Sequence, residues 1–378
     1  VLAQGWAPRV RRRPPACHAI RKHRHRGVAV ALGGVRRRLR ATAVAVARVV
    51  GRRLCPSPRL VRVGMQPAQP LVAAAAAKEA EGGSRPPGGR WYEVTPILPH
   101  FGGEVRGFSF DGDWPLPEEL VRQVKEDMTK YRVLVFKGQG QLSGARQVQI
   151  SQHLGQIEST FYNHPRSPHP DIFRVSNDDK EGCTNVGRTG WHIDGTFQAM
   201  PFKYQTMHFH SVCEGGETWF VPLKEFYEMQ DEETRRRWDR MWFITGGMEL
   251  AHPLVYQHPS RGDTCMVFHC GDSFCAGWDI DDDNEDTAKR RAKEMCPPGQ
   301  MQRELGERLF EAVDRIGVKM QWEAGDFAIN DNLGNCHYAA PGTQNNRQRA
   351  GLRILHRTTI AGETVPTKAD GRRSYMRR

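Results

Sequence analysis

His192 and Asp194 have the residue types and the spacing of a metal site. In an extended segment, side chains two positions apart point to the same side, so this imidazole and this carboxylate can face one ion. A second histidine would complete the two-histidine, one-carboxylate triad, which binds Fe(II) and leaves three coordination positions open. The spacing alone is weak evidence, because His169 and Asp171 repeat it elsewhere in the chain.

A competing metal site is suggested by His208, His210 and Glu214. Their His-x-His-x3-Glu form is that of a cupin metal site on a jelly roll. The glycines that usually flank this motif are missing here, and an alternating strand with two outward histidines explains the same pattern without a metal. A cupin-type metalloenzyme would have different chemistry from the triad.

The surroundings of His192 resemble one known family. The segment WHIDGTF at residues 191–197 is similar to the iron signature of the taurine dioxygenase and 2,4-dichlorophenoxyacetate dioxygenase (TauD/TfdA) family. Further similar segments follow in the family's order, namely GGET at 215–218, AHPLVYQHPSRGD at 251–263, GDFAINDNLGNCHYA at 325–339 and LRILHRTTI at 352–360. Together with a match that begins at FGGEVRGFSF, the resemblance covers roughly residues 93–362.

The resemblance implies an Fe(II)- and 2-oxoglutarate-dependent dioxygenase that also consumes O2. It implies that the catalytic residues His192, Asp194 and His337 are the iron ligands. Without the resemblance, His337 could equally be a loop histidine bonded to the backbone. Trp191 and Phe197 flank the metal pair, and each could line the pocket or pack in the core.

Two arginines are predicted to recognise anions. The resemblance implies that Thr218 and Arg353 bind 2-oxoglutarate and that Arg357 lies nearer the iron and can face the substrate. A guanidinium is a fixed bidentate fork for a carboxylate. Because the two arginines are ~13 Å apart along one strand face, they cannot both grip one carboxylate head-on. On an unmatched strand, both would be interpreted as solvated surface charge.

Arg188 is a further candidate substrate-binding residue, because it stands where the taurine enzyme presents a small amide-bearing side chain. This difference disfavours taurine itself. Together with Arg357, it indicates a small anionic substrate, since two guanidinium groups can pair with a carboxylate, sulfonate or phosphate. The substrate-selecting segments are predicted to be residues 161–190 and the two helical insertions.

The reaction implied by the resemblance is hydroxylation of the substrate with release of succinate and CO2. Some relatives desaturate or cyclise instead, so the outcome is not fixed by the triad. A catalytically silent relative that acts as a binding protein is the alternative function. Members of the family often form dimers or tetramers, which leaves homo-oligomerisation open here.

Hydropathy periods predict the elements that must position these residues. Helices are expected at 117–131 and 143–154, and strands at 132–136, 173–176, 204–212, 218–221, 264–268, 326–330 and 352–359. Helical insertions are expected at 223–240 and 287–316, the second after an acidic run at 279–286 interpreted as a solvated helix N-terminus. The fold class is mainly β with helical insertions, and the resemblance implies a double-stranded β-helix (jelly roll) core of the clavaminate synthase-like type.

Charge is distributed unevenly along the chain. The 378 residues carry a formal +12, but residues 1–78 hold 18 Arg and Lys and no acid, which leaves a net −6 for the rest. Nucleic-acid binding by the folded part is therefore disfavoured, because it needs clustered basic residues. No apolar run reaches the ~20 residues that span a bilayer, so no membrane association is expected.

Four regions are predicted along the chain. Residues 1–64 have the composition of an organelle transit peptide or of untranslated upstream sequence, residues 65–89 of a flexible linker, residues 90–365 of the dioxygenase-like domain, and residues 366–378 of a basic C-terminal tail. Localisation would be a plastid or mitochondrion if residues 1–64 are real, and otherwise the cytoplasm. The nine cysteines, none in a C-x-x-C pair, indicate reduced thiols.

Overall fold

The structure, a computed structural model, describes residues 89–377 apart from positions 160–162, 188, 248, 283 and 297–298. These described residues fall in one compact unit of the chain. The predicted region 1–64 lies outside them, and so does the predicted linker 65–89 except for residue 89. Among the described residues, no helix has both the length and the apolar character needed to cross a membrane.

Sixteen strands and seven α-helices are formed within the described part of the chain. The strands are β1 (Thr95–Leu98), β2 (Phe101–Val105), β3 (Val133–Phe136), β4 (Phe173–Ser176), β5 (Tyr204–Ser211), β6 (Thr218–Pro222), β7 (Met241–Thr245), β8 (Leu250–Pro253), β9 (Val255–Gln257), β10 (Thr264–Met266), β11 (Cys275–Ile280), β12 (Val318–Met320), β13 (Phe327–Asp331), β14 (Asn335–Ala339), β15 (Ile354–Ile360) and β16 (Tyr375–Met376). The helices are α1 (Glu118–Tyr131), α2 (Gly144–Leu154), α3 (Leu223–Glu228), α4 (Glu232–Asp239), α5 (Glu285–Met295), α6 (Gln300–Ile316) and α7 (Arg347–Ala350).

Two sheets position the site. The large sheet has the order β1-β2-β3-β13-β5-β15-β4, and the small sheet has the order β12-β6-β14. All strand pairs in these two sheets are antiparallel except β2 with β3. The two remaining sheets have the orders β11-β7-β8-β16 and β10-β9. The predicted jelly-roll class is confirmed by this β-rich architecture and by the structural comparison described below.

Strand alternation gives the large sheet two buried faces. Met207 and Phe209 of β5 and Leu355 of β15 pack with Phe220 of β6, and we call this side the inner face. The residues between them face the opposite side, which we call the outer face. That side is covered by α1 and α2, whose Val124 joins a separate apolar cluster with β3 and β13. Every side chain on β5 or β15 therefore belongs to one of two different environments.

Local sequence explains where the covering helices begin. Ser143 accepts a hydrogen bond from the Arg146 amide and caps α2, as a short hydroxyl side chain does at a helix start. Asp231 caps α4 in the same way through the Thr234 amide. Helix α1 begins after Pro117, which has no amide hydrogen to leave unpaired.

The two helical insertions and the acidic run differ in the structure from what the sequence predicted. Each helical insertion forms two helices, α3 with α4 and α5 with α6. The acidic run is not wholly a solvated helix start: Asp279 lies in β11 opposite Trp242, and the Asp281 carboxylate pairs with Lys368 and Arg372. Only its last residues lead into α5, which Asn284 caps.

The predicted basic tail is also not a separate segment where it is described. Tyr375 and Met376 pair with β8 as strand β16. Lys368 is buried and donates to the Asp281 carboxylate at 2.5 Å and to the Asp239 carbonyl at 2.7 Å. Residues 366–377 therefore pack onto the domain, and the boundary predicted at residue 365 does not coincide with a structural break.

Candidate functional site

One cavity of about 410 Å³ collects the predicted site residues that the structure describes. It lies between the inner face of the large sheet and the small sheet. The residues that line it include His192, Asp194, His337, Thr218, Arg353 and Arg357. Arg188, the remaining predicted site residue, lies outside the described residues, so its role stays a prediction.

His192 lies in a short extended segment before β5, and Asp194 begins the turn that follows it. His192 forms bridge pairs with His337 of β14 on one side and with His269 on the other. Its amide and carbonyl exchange hydrogen bonds with those of His337 at 3.1 and 2.9 Å. The segment is thus fixed to the small sheet, although it is not a regular strand.

The side-chain atoms of His192, Asp194 and His337 that could bind a metal lie within 4.8 Å of one another. His192 Nδ1 donates to the Gly190 carbonyl at 2.7 Å, so the proton is on Nδ1 and the Nε2 lone pair is available. The ring nitrogen Nε2 of His337 is 3.4 Å from the Asp194 carboxylate. Two imidazoles and one carboxylate are the donor set that suits a non-haem Fe(II) centre.

The Asp194 carboxylate is oriented by hydrogen bonds to one of its two oxygens. Gln205 and Arg357 both donate to Oδ2, the arginine at 2.8 Å. The other oxygen, Oδ1, lies 4.0 Å from His192 Nε2. Asn332 holds the same residue by its backbone, accepting from the Asp194 amide at 2.8 Å and donating to its carbonyl at 2.9 Å. The Asn332 side chain therefore fixes the backbone of Asp194.

Burial and charge set the protonation states here. Burial alone would raise the pKa of Asp194, but the neighbouring Arg357 and His337 hold the pKa of this carboxyl well below its usual range. Burial, with a contribution from His337, lowers the pKa of His192 to about 4. At neutral pH the group therefore offers an ionised carboxylate and a neutral imidazole, the forms that bind metal.

His337 lies in the middle of strand β14, opposite Phe220 of β6. The alternative of a loop histidine bonded to the backbone is therefore wrong in its secondary structure. The ring is buried, and none of the described residues bonds to its Nδ1. A regular strand fixes the direction of this side chain toward the cavity.

Arg353 is a buried cation without a carboxylate partner. Its side chain is 4% exposed, and it forms no ion pair with any acid in the described part of the chain. Burial lowers its pKa to about 10. Thr218 lines the same cavity, and its hydroxyl accepts from Trp322 Nε1 at 3.0 Å. An isolated buried charge is costly, so this position is suited to an anionic ligand.

Trp191 and Phe197 have opposite roles, although both flank the metal pair. Trp191 is fully buried and packs in the core with Phe310 and Tyr338. Phe197 is 48% exposed and lines the cavity. The helical insertions do not line this cavity, so the prediction that they select the substrate is not supported by their position.

The cavity wall contains two residues that the sequence analysis missed. His269 stacks on the His192 ring at 4.6 Å and on Phe274 at 4.1 Å. Its Nδ1 accepts from the Gly271 amide at 2.9 Å, which places the proton on Nε2, 3.5 Å from the Thr189 hydroxyl. Gln205 is the second. A polar residue that alternates with Met207 on the inner face of β5 was the available signal for it.

The two competing metal motifs have different outcomes. His169 and Asp171 are partly exposed and belong to neither group of potential metal ligands among the described residues. His208 and His210 do lie together, but Glu214 is exposed beyond the end of β5, and His356 of β15 takes its place in the group. The predicted His208/His210/Glu214 site is therefore corrected to three histidines.

Comparisons with known proteins agree with this geometry. Residues 93–359 match the family described as taurine catabolism dioxygenase TauD, TfdA family. An alpha-ketoglutarate-dependent sulfate ester dioxygenase of Pseudomonas putida is 26% identical over 318 residues, covering 76% of this chain and 94% of that protein. An alkylsulfatase of Acinetobacter baylyi is 24% identical over 315 residues, covering 74% and 87%.

The fold is shared with a solved structure. The crystal structure of a taurine dioxygenase from Burkholderia xenovorans superimposes with a TM-score of 0.59 at 23% identity. The match covers 76% of this chain and 95% of that one. The match therefore shows a shared fold.

Proposed function

We propose, from the premise that this chain belongs to the TauD/TfdA family of 2-oxoglutarate-dependent dioxygenases, that it hydroxylates an anionic organic substrate in the cavity beside His192, Asp194 and His337. As a member of this family the protein is an oxidoreductase that uses Fe(II), 2-oxoglutarate and O2 on a small molecule. When bound, the iron supplies the oxygen chemistry, in which 2-oxoglutarate is converted to succinate and CO2 while one oxygen atom is added to the substrate.

The observation that carries the proposal is the content of a single cavity. It contains a two-histidine, one-carboxylate group and, separately, a buried arginine with no acidic partner. In our proposal His192 Nε2, Asp194 Oδ1 and His337 Nε2 hold the iron. Gln205 and Arg357 restrain the other carboxylate oxygen, which keeps Oδ1 directed at the metal.

Arg353 and Thr218 are proposed to bind the carboxylate of 2-oxoglutarate that lies away from the metal. A bidentate guanidinium contact would satisfy a charge that is otherwise buried alone. The Thr218 hydroxyl already accepts from Trp322, so its own proton is available to a ligand oxygen. Both groups are held by strands, and the cosubstrate can be oriented without rearrangement of the sheet.

The proposed substrate has an anionic group and an apolar portion. His269 offers an Nε2–H donor from a ring sandwiched between His192 and Phe274, and Arg357 supplies positive charge. Phe197 and Leu355 give the same cavity an apolar surface. Arg188 remains a predicted contact to the anion. Because two relatives are named for sulfate esters, primary alkyl sulfates are the first substrates to test.

For such an ester the proposed reaction is balanced. Hydroxylation of the carbon that bears the sulfate oxygen gives an unstable adduct, whose C–O bond then breaks. The products are the aldehyde and hydrogen sulfate, together with succinate and CO2 from 2-oxoglutarate and O2. The protein's part is to hold the anion, to position the reacting carbon and to exclude water.

The first experiment is the anaerobic visible spectrum of the full chain with Fe(II), before and after addition of 2-oxoglutarate. We expect a weak charge-transfer band that requires both, and its loss in His192→Ala. His210→Gln, on the outer face of the large sheet, is the matched control and should keep the band. Absence of the band in folded protein, or its survival in His192→Ala, would refute the proposed centre.

The substrate is tested by succinate release with alkyl sulfates of increasing chain length, beside taurine and alkyl carboxylates. His269→Phe keeps the ring stacking but removes the N–H donor. We expect it to raise KM for the anionic substrate by ~10-fold, corresponding to one hydrogen bond to a charged group, while the 2-oxoglutarate band is unchanged. An unchanged KM would remove His269 from the substrate site.

A further inference from the structure

The outer face of the large sheet carries a second group of potential metal ligands, His208, His210 and His356. His208 of β5 is directly opposite His356 of β15. The register shifts between Ile354 and Leu355, which leaves His210 at a β-bulge next to that pair. Its ring centroid lies 4.3 Å from that of His208 and 3.9 Å from that of His356. One potential ligand atom from each histidine lies within 4.8 Å of the others.

Hydrogen bonds orient two of these rings toward the centre of the group. His208 Nε2 donates to the Gly140 carbonyl at 2.9 Å, and Gln141 Oε1 accepts from His210 Nδ1. The amide of Gln141 is fixed because its Nε2 donates to the His210 carbonyl at 3.1 Å. The lone pairs are therefore on His208 Nδ1 and His210 Nε2. Within the described part of the chain, neither of these nitrogens has a hydrogen-bond partner.

The third ring is held differently. Arg174 Nη1 is 2.6 Å from His356 Nε2, and a guanidinium can only donate, so the proton of His356 is on Nδ1. His356 Nδ1 also has no partner among the described residues. To ligate through Nδ1, this imidazole must move its proton to Nε2 and give up the Arg174 contact. Arg174 would keep its bond to the Glu181 carbonyl at 2.5 Å.

Burial keeps the three imidazoles uncharged. His208 and His356 are at most 2% exposed. Burial lowers the pKa of His210 to about 4 and, with help from His210 and Arg174, that of His356 to about 2. His210 is only half-buried, which gives an ion a route to the group. The group leaves three buried ring nitrogens without a partner, and one cation would satisfy them together once the His356 proton has moved from Nδ1 to Nε2.

We propose that His208 Nδ1, His210 Nε2 and His356 Nδ1 form a second metal site, specific for borderline divalent ions such as Zn²⁺, Ni²⁺ or Cu²⁺. Neutral imidazoles suit these ions, whereas Mg²⁺ and Ca²⁺ require oxygen ligands. The Gly140 carbonyl and Gln141 act as the outer hydrogen-bond partners that such histidines normally have. This site is separated from the dioxygenase cavity by the sheet itself, and it does not depend on the proposed function.

The test counts metal ions in the full chain without a histidine tag. Equilibrium dialysis with Zn²⁺ and visible spectra with Co²⁺ are measured on His192→Ala, in which the cavity group is disabled. We expect one bound equivalent, and d–d bands that do not respond to 2-oxoglutarate. Adding His210→Gln to His192→Ala should weaken Zn²⁺ binding by at least ~100-fold. This is more than the usual effect of losing a group that only hydrogen-bonds to a metal ligand. His169→Gln, away from both groups, should change nothing.

Arg174→Gln is the complementary variant, because it should improve binding rather than abolish it. A glutamine oxygen could accept from His356 Nε2–H, which favours the tautomer that ligates through Nδ1. We expect Zn²⁺ affinity to rise by ~10-fold, the lower range for an outer-partner effect. Circular dichroism confirms that each variant is folded. No bound equivalent in folded His192→Ala, or equal binding with and without His210→Gln, would overturn the proposal.

Discussion

The two faces of strands β5 and β15 look onto groups of similar side chains with different surroundings. The inner face borders a cavity that contains two arginines, and across this cavity lie an imidazole pair and a carboxylate held by the small sheet and by the segment before β5. The outer face itself carries three imidazoles, two of which are bonded to the loop that contains Gly140 and Gln141. The comparison teaches that ligand types alone do not define a catalytic centre. The inner group borders a cavity that also contains the buried cation Arg353, which is suited to an anionic cosubstrate.

The largest predicted effect is expected from neutralising Asp194 in the inner group. Asp194→Asn keeps the shape of the side chain but removes the charge that favours a metal. We expect turnover and Fe(II) binding to fall by more than the ~100-fold typical of an outer partner. His356→Gln, on the outer face, should leave the 2-oxoglutarate band in place. Equal effects of the two variants on that band would show that the faces are not independent.

Replacing Arg353 and replacing the paired Arg132 should have different effects on the stability of the protein. It is 4% exposed without an acidic partner, whereas Arg132 is 2% exposed and pairs with Glu225 at 2.6 Å. We expect Arg132→Met to lower the free energy of unfolding by ~1–3 kcal/mol, because it leaves the partly buried Glu225 carboxylate without its partner. Arg353→Met should not destabilise the protein in the absence of 2-oxoglutarate.

Arg353→Met should also lose the stabilisation that 2-oxoglutarate gives to the wild-type fold. In the wild type with Fe(II), 2-oxoglutarate at ~100 times its Kd should stabilise the fold by ~2.7 kcal/mol, seen as a rise in Tm. Arg353→Met should show no such rise at equal concentration. A normal rise would mean that Arg353 does not bind 2-oxoglutarate.

Two buried glutamines provide a smaller contrast. Gln205 donates to the Asp194 carboxylate on the inner face, and Gln147 of α2 donates to the Thr206 hydroxyl and the His356 carbonyl on the outer face. Gln205→Leu should reduce Fe(II) affinity by ~10–100-fold. Gln147→Leu should cost ~1–3 kcal/mol of stability through unsatisfied partners, with Fe(II) affinity unchanged. Calorimetric titration and urea unfolding separate the two effects.

Local periodicity predicted the β5 and β15 strands that border the site, but not β14, which carries His337. The predicted strand at 173–176 matches β4, and those at 204–212 and 352–359 differ from β5 and β15 by one or two residues at their ends. Alternation also placed Arg353, Leu355 and Arg357 on one face, and all three line the cavity. These features depend only on neighbouring residues, so a single sequence contains them.

What could not be predicted depends on register between distant segments. His269 reaches the cavity because its segment forms a bridge pair with His192, 77 positions earlier in the chain. His356 meets His208 only through the pairing of β15 with β5, whereas the pattern of spacing favoured Glu214. Trp191 and Phe197 both flank the metal pair in the chain, and the sequence gave no indication of which of the two is buried. The composition likewise gave no indication that the Asp281 carboxylate would form an ion pair with Lys368.

The smallest predicted effect is on the free energy of unfolding of chelator-treated protein at acid pH, and it comes from His356 in the outer group. Burial, followed by the influence of His210 and Arg174, lowers the pKa of His356 to about 2, compared with ~6.5 in an unfolded chain. Between these values the unfolded state binds a proton that the folded state does not. Stability is therefore lost as pH falls below ~6.5, by up to ~1.4 kcal/mol per pH unit for this residue. His356→Gln should reduce the slope of unfolding free energy against pH by about one proton between ~pH 5.5 and ~pH 4.5, measured by urea titration. His164→Gln, at a partly exposed position, is the control. An unchanged slope in His356→Gln would mean that this imidazole is not kept neutral by its position on the outer face.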